Sequence, residues 1–314
     1  MKVILSIILL GLGVTNICFG QLDPLYAQYM FNQLTFNPAC AGSEEKIIAG
    51  LTIKKNRSVS GLTPEIKSFT IHAPFLARRI GLGLNFSEVK TGFLKNIEAN
   101  FSYSYKILFS RGILSLGLLG GIIQRSVNNS EVVVKHQDDP DIITLNNFTE
   151  IIPDAGVGAY FQKENYYLGL AIRHIIPVVA LFPDDPLGKH LHFYLNGGYK
   201  YAISSQIRCA NSFLVKNSLI TTWQADFTHH FIFLESFWLG GSYRTVNSVS
   251  LQSGIKFNGI FNRLKQDIKL GYAFDIYTTN MKPSHEIMLL LDLEIHKNPK
   301  KIRKQKVQFS PFFI

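Results

Sequence analysis

Residues 96–107 read Asn-Ile-Glu-Ala-Asn-Phe-Ser-Tyr-Ser-Tyr-Lys-Ile. Ile97, Ala99, Phe101, Tyr103, Tyr105 and Ile107 occupy alternate positions, and Asn96, Glu98, Asn100, Ser102, Ser104 and Lys106 fill the others. Side chains of an extended strand point to opposite faces in turn, so this segment folds with one apolar face and one polar face. A helix would scatter both sets around its circumference. The pattern recurs. Ile80, Leu82, Leu84 and Phe86 alternate with Gly81, Gly83, Asn85 and Ser87. Val249, Leu251, Ile255 and Phe257 alternate with Ser250, Gln252, Gly254 and Lys256. Ile268, Leu270, Tyr272, Phe274 and Ile276 follow, and Ile287, Leu289, Leu291, Leu293 and Ile295 close the series.

The composition fits strands with a greasy outer face. Hydrophobic residues make up 46% of the 314 residues and charged residues 17%, against about 25% charged in a typical soluble domain. Beyond the N-terminus no stretch holds the ~18 uninterrupted apolar residues of a membrane helix. Segments near ten residues with Tyr and Phe toward their ends match tilted strands crossing a bilayer. About fourteen such segments begin near residues 47, 65, 79, 96, 113, 154, 165, 191, 207, 219, 233, 247, 267 and 284. An open sheet edge in lipid leaves backbone groups unpaired, at several kcal/mol each, so the strands are expected to close. The reading is all-β: a transmembrane antiparallel β-barrel of about fourteen strands.

The two longest gaps, residues 127–153 and 175–190, follow the fifth and seventh strands and so belong to one end of the barrel. The tight turn at Lys163-Glu164-Asn165 belongs to the other. With a periplasmic N-terminus the long loops face outward, as in outer-membrane barrels. The inward sets include Gly81, Gly83, Ala273, Met288 and Leu290, which predicts a narrow or plugged lumen less polar than a porin's.

Four regions are expected. Residues 1–20 read as a signal peptide, with Lys2, an apolar run from Val3 to Val14, and Cys18-Phe19-Gly20 before cleavage at Gln21. Ile17 argues against lipoprotein processing at Cys18. Residues 21–46 form an N-terminal docking segment, 47–296 the barrel, and 297–314 a basic tail ending in an aromatic stretch from Phe309 to Ile314. Of the net charge of +10, Lys2 and six cations of the tail account for seven, leaving +3 on residues 21–296. A nucleic-acid-binding domain would hold its charge in a folded patch, so no nucleic acid is expected as a partner. Cys40 and Cys209 read as buried thiols, with no support for a disulfide.

No catalytic, cofactor or metal residues are expected. Asp138-Asp139-Pro140-Asp141 lacks the glycine turn and closing Glu of a calcium loop, and Asp184-Asp185 has the same status; both read as solvated loop tips. His190 and His192 lie two apart on one strand face, while the adjacent His229 and His230 point to opposite faces. Neither pair has a Cys or Glu nearby at ligand spacing. Ser284-His285-Glu286 cannot form a triad by adjacency along a strand, and no G-x-S-x-G elbow occurs.

Residues 21–43 read Gln-Leu-Asp-Pro-Leu-Tyr-Ala-Gln-Tyr-Met-Phe-Asn-Gln-Leu-Thr-Phe-Asn-Pro-Ala-Cys-Ala-Gly-Ser. This stretch resembles the opening of the PorP/SprF family of type IX secretion in the Bacteroidota, D-P-x-Y-x-Q-Y-M-F-N…N-P-A-x-A-G. Asp23, Pro24, Tyr26, Gln28, Tyr29, Met30, Phe31, Asn32, Asn37, Pro38, Ala39, Ala41 and Gly42 carry the match. Pro153-Asp154-Ala155-Gly156-Val157-Gly158, Gly271-Tyr272-Ala273-Phe274-Asp275 and Ser284-His285-Glu286-Ile287 resemble later parts. Cys40 stands where the family has Tyr, and Asn56-Arg57-Ser58-Val59 lacks the family's Trp. The resemblance implies an outer-membrane barrel that supports secretion or surface attachment of type IX cargo, including gliding adhesins in some members. It implies the secretion machinery, a secreted cargo protein and outer-membrane lipid as partners, and no catalytic residues. The expected docking residues are Asp23, Pro24, Tyr26, Gln28, Tyr29, Met30, Phe31, Asn32, Asn37, Pro38 and Gly42. Tyr26, Tyr29, Met30, Phe31 and Phe36 would form an exposed apolar patch in water unless they cover something. The alternative is a passive porin for small solutes, and a membrane enzyme is a more distant third.

Overall fold

A computed structural model describes residues 23, 26–44, 46–56, 64–76, 79–128, 147–176, 190–218, 223–245, 248–259, 266–278 and 282–294. Fourteen strands follow in chain order: β1 (Lys46–Asn56), β2 (Glu65–Phe75), β3 (Ile80–Thr91), β4 (Leu94–Phe109), β5 (Gly112–Val127), β6 (Phe148–Gln162), β7 (Tyr166–Arg173), β8 (His192–Ala202), β9 (Ile207–Ser218), β10 (Gln224–Phe233), β11 (Phe237–Arg244), β12 (Ser248–Asn258), β13 (Gln266–Tyr277) and β14 (Ser284–Glu294). Each pairs antiparallel with its neighbours in sequence, and β1 pairs with β14, so the barrel is closed. The closing register runs from Lys46 opposite Glu294 to Asn56 opposite Ser284.

The alternation read in residues 96–107 maps onto the two faces of β4. Glu98, Asn100, Ser102, Ser104 and Lys106 are buried inside, whereas Phe101 and Tyr105 are exposed outside. On β14, Glu286, Met288, Leu290 and Asp292 point in, and His285 and Ile287 point out. This fixes the register of each strand, because a one-residue slip would turn every charged side chain into lipid.

Three boundaries depart from expectation. β6 begins at Phe148, not near 154, so residues 148–153 are strand and not loop. The alternation passes through Pro153. Ile152 and Asp154 are buried, Ile151 and Pro153 are exposed, and Pro153 lies opposite Ile122. A proline there removes one ladder donor without ending the strand. β10 begins at Gln224 and β11 at Phe237, each later than expected. The β5–β6 and β7–β8 connections leave the same end of the barrel, and the tight β6–β7 turn lies at the other. The loop tips at Asp138-Asp139-Pro140-Asp141 and Asp184-Asp185, residues 1–20 and the tail 297–314 lie outside the described residues.

The interior is more polar than the sequence suggested. Lys54 meets Asp275 at 2.5 Å, Arg244 meets Asp226 at 2.9 Å, and Lys269 meets Asp292 at 3.0 Å, all buried. Glycine and apolar positions dominated the sequence reading. The charges sit at intervening inward positions and neutralise one another across adjacent strands (β10–β11 and β13–β14) or, for Lys54 and Asp275, across the intervening β14. Buried charge is tolerated when paired and hydrogen-bonded.

Candidate functional site

Residues 23 and 26–44 lie within the ring of strands. The segment contains no β-strand. Three short 3-10 turns, Tyr29–Phe31, Gln33–Thr35 and Pro38–Cys40, give it its shape. Asn37 starts the third turn: its Oδ1 accepts from the Ala39 N–H at 3.0 Å, and Pro38 follows at the first turn position. A proline there sacrifices only a donor that would be unpaired anyway.

The segment runs through the barrel from end to end. Asp23 sits at the long-connection end, beside His174 just past β7 and His192 at the start of β8. Gly42 sits at the opposite end, where the Lys106 ammonium donates to its carbonyl oxygen. Its N–H donates to His72 Nδ1 at 3.0 Å. Gly42 has φ +58°, and a Cβ there would lie 2.6 Å from the Ala73 carbonyl oxygen. Both the backbone angle and the space require glycine.

The backbone of the segment is held by inward side chains from strands around the ring. Glu286 accepts from the Ala27 and Gln28 N–H groups at 2.7 and 2.9 Å. Gln252 donates to the Ala27 carbonyl at 2.9 Å, Arg173 to the Thr35 carbonyl at 2.9 Å, and Lys216 to the Asp23 carbonyl at 3.0 Å. Asn37 Nδ2 donates to the Ala159 carbonyl at 3.2 Å, and Ser104 to the Ala41 carbonyl at 2.7 Å. A chain without regular secondary structure can be buried only if its backbone groups are satisfied in this way.

The apolar anchors pack between these polar contacts. Tyr29, Met30, Phe36, Ala39 and Cys40 join Tyr160, Tyr167, Tyr194, Trp238, Met288 and Leu290 in one buried cluster, with Tyr26 and Phe31 against it. The Phe31 ring lies 5.1 Å from Trp238 and 5.8 Å from His230. Phe36 stacks on Tyr194 at 5.6 Å. Asn32 accepts from Thr70 at 3.1 Å. Inward glycines make room for the segment: a Cβ on Gly117 would lie 2.2 Å from Ala39 N, and one on Gly81 would lie 1.9 Å from the Ala41 carbonyl oxygen.

Glu44, half-buried just before β1, is pushed up to about 7, chiefly by burial. Lys269 opposes that shift and Asp292 adds to it.

Of the expected docking residues, Asp23, Tyr26, Gln28, Tyr29, Met30, Phe31, Asn32, Asn37, Pro38 and Gly42 all lie in this buried thread, and Pro24 lies outside the described residues. His190 and His192 do not act as a pair of side chains: the His190 carbonyl accepts from His192 Nδ1 at 2.7 Å. His230 faces inward to Gln252 at 2.9 Å, while His229 contacts Asn211 at 2.6 Å. His285 points outward to Tyr272 at 2.7 Å, away from the buried Ser284 and Glu286. Cys40 and Cys209 are both free and buried. Sequence reasoning missed His174, Arg173 and Glu286. The inward positions of Arg173 and Glu286 follow from the strand alternation, but His174, just past β7 with φ +56°, breaks it, and the partners Glu98, Asp23 and Ala27 lie 75 to 259 residues away.

A closed antiparallel barrel with an apolar outer face and paired charges inside defines an outer-membrane β-barrel protein. The chain belongs to the PorP/SprF family of type IX secretion system membrane proteins, whose sequence profile matches residues 18–291. No curated protein matches. Among solved structures it is similar to a Pseudomonas aeruginosa FadL homologue (12% identity, 88% of this chain and 96% of that one, TM-score 0.49). It is also similar to the Pseudomonas putida toluene transporter TodX (9% identity, 84% and 92%, TM-score 0.47). A Rhodopseudomonas blastica porin variant is a third (6% identity, 79% and 98%, TM-score 0.37).

Proposed function

We propose that this barrel is an accessory subunit of type IX secretion that supports the secretion or surface attachment of specific cargo proteins such as adhesins, and that it catalyses no reaction. Family membership carries the link to secretion. The seating of residues 26–44 favours protein docking over solute passage, because strands around the barrel hydrogen-bond to the segment occupying the interior. In this reading the segment is a plug that runs from Asp23 at one mouth to Ser43 and Glu44, both partly exposed, at the other. The signal peptide delivers the chain to the periplasm, the barrel anchors it in outer-membrane lipid, and the basic tail 297–314 offers a second periplasmic contact.

The passive porin is the competing function. Cross-linking in intact outer membranes, followed by affinity purification of the full chain, should recover type IX machinery or cargo. The purified barrel should be electrically silent in planar bilayers. Steady conductance together with no recovered protein partner would replace this reading with the porin.

A further inference from the structure

Three buried side chains from separate parts of the chain meet at the long-connection mouth. Asp23, His174 and His192 each place one oxygen or nitrogen within 4.8 Å of the other two. His174 Nε2 lies 3.1 and 3.0 Å from the two carboxylate oxygens of Asp23. Its Nδ1 lies 3.0 Å from Asp154 Oδ1. His192 Nδ1 lies 2.7 Å from the His190 carbonyl oxygen, which only accepts, so this nitrogen carries the proton and Nε2 carries the lone pair. The Tyr194 hydroxyl donates to Asp23 at 2.6 Å and fixes the carboxylate.

We propose that Asp23, His174 and His192 bind a divalent transition-metal ion of the Zn2+ type, which ties the N-terminal segment to the barrel wall where β7 ends and β8 begins. Two imidazole nitrogens and one carboxylate oxygen form a three-ligand zinc set that leaves a fourth position open. Each histidine has the outer support that metal-bound histidines need: its second ring nitrogen is held by a carboxylate in one case and a backbone carbonyl in the other. His174 Nε2 and Asp23 lie 3.0 Å apart, somewhat closer than the roughly 3.3–3.4 Å edge of a tetrahedron with bonds of about 2.0–2.1 Å, and all three ligand atoms lie within 4.8 Å of one another, so small rotamer shifts that part the first pair and draw His192 in would seat an ion. Asp23, Asp154 and Glu98 bring three carboxylates to the site against Arg173 and Lys216, so the local charge does not repel a cation.

A proton offers a rival account. Protonated His174 would bridge Asp23 and Asp154, with both ring nitrogens donating. That arrangement accounts for His174 and leaves His192 to its bond with the His190 carbonyl and its stacking on Tyr194. A shared metal ion gives both imidazoles one role beside Asp23.

The test uses the full-length barrel purified in detergent, stripped with chelator and then equilibrated with Zn2+. Metal content is measured by mass spectrometry, and a Co2+-loaded sample is read by visible absorption. Wild type should hold one equivalent of Zn2+ and show the strong bands of tetrahedral Co2+. His192→Ala and Asp23→Ala should lose the bound metal while retaining heat-modifiable migration. Asp154→Asn should weaken affinity by about 10–100-fold. Wild type that binds no more Zn2+ than His192→Ala, or Co2+ that keeps its octahedral spectrum, would overturn the site and leave the bridging proton. If the variants do not fold, the Co2+ spectrum of wild type alone decides.

Discussion

Replacing Glu286 with Ala should free the N-terminal segment while the barrel stays closed. The Glu286 carboxylate accepts two backbone N–H groups, Ala27 at 2.7 Å and Gln28 at 2.9 Å. Hydrogen bonds to charged groups contribute about 1.5–3 kcal/mol each, so losing both weakens the seating by about 3–6 kcal/mol. Lys54 is not stranded, because Asp275 remains 2.5 Å away. At about 1.4 kcal/mol per factor of ten, the lower bound raises the released population roughly 150-fold. Cys40 reports the release: it is buried in the segment, out of reach of a reagent in water. In a Cys209→Ser background, maleimide labelling of Cys40 should accelerate by about two orders of magnitude in Glu286→Ala. Heat-modifiable migration should persist. Unchanged labelling in a folded barrel would show that the carboxylate clamp does not hold the segment. Simultaneous loss of the barrel would show that segment and barrel form one cooperative unit, against the idea of a separable plug.

Gly117→Ala should disturb the segment from the wall side, since its Cβ would lie 2.2 Å from Ala39 N. Overpacking of this kind costs typically 1–3 kcal/mol, visible as faster Cys40 labelling with the barrel intact. Glu44 gives a pH signature. Its carboxyl is raised from 4.5 to about 7 in the fold, so the folded state prefers the neutral form. Stability should fall as pH rises from about 4.5 to about 7 and level off above. Glu44→Gln should flatten that part of the melting-temperature profile; an unaltered slope would assign it to other groups. Epitope tags placed near Asn129 and Gly188 should label on intact cells, because both connections leave the same barrel end. Labelling only after permeabilisation would invert the orientation.

Strand alternation made the barrel legible because lipid imposes it on every strand. Period two survives in residues 96–107 even where Asn and Ser, weak β-formers, fill the inward positions, and it located fourteen strands. The boundaries near Pro153 were less legible, since a proline reads locally as a break, while the ladder on either side carries the strand through. The apolar content of residues 26–42 announced that the segment must be covered. It did not announce by what. The clamp on Ala27 and Gln28 comes from Glu286, 259 and 258 residues away, and becomes a contact only when β14 closes on β1. The meeting of Asp23, His174 and His192 was invisible for the same reason: each residue looks ordinary in its own stretch, and His190 was the more conspicuous neighbour.

The central claim is that this barrel serves protein secretion. The most direct measurement removes the chain from its native cell and quantifies type IX cargo at the surface and in the periplasm. Cargo should leave the surface, with other outer-membrane proteins unchanged. Wild-type chain should restore it, and a Tyr29→Ala, Phe31→Ala chain that still inserts and melts normally should not. Normal surface display of all type IX cargo in the deletion strain would contradict the claim.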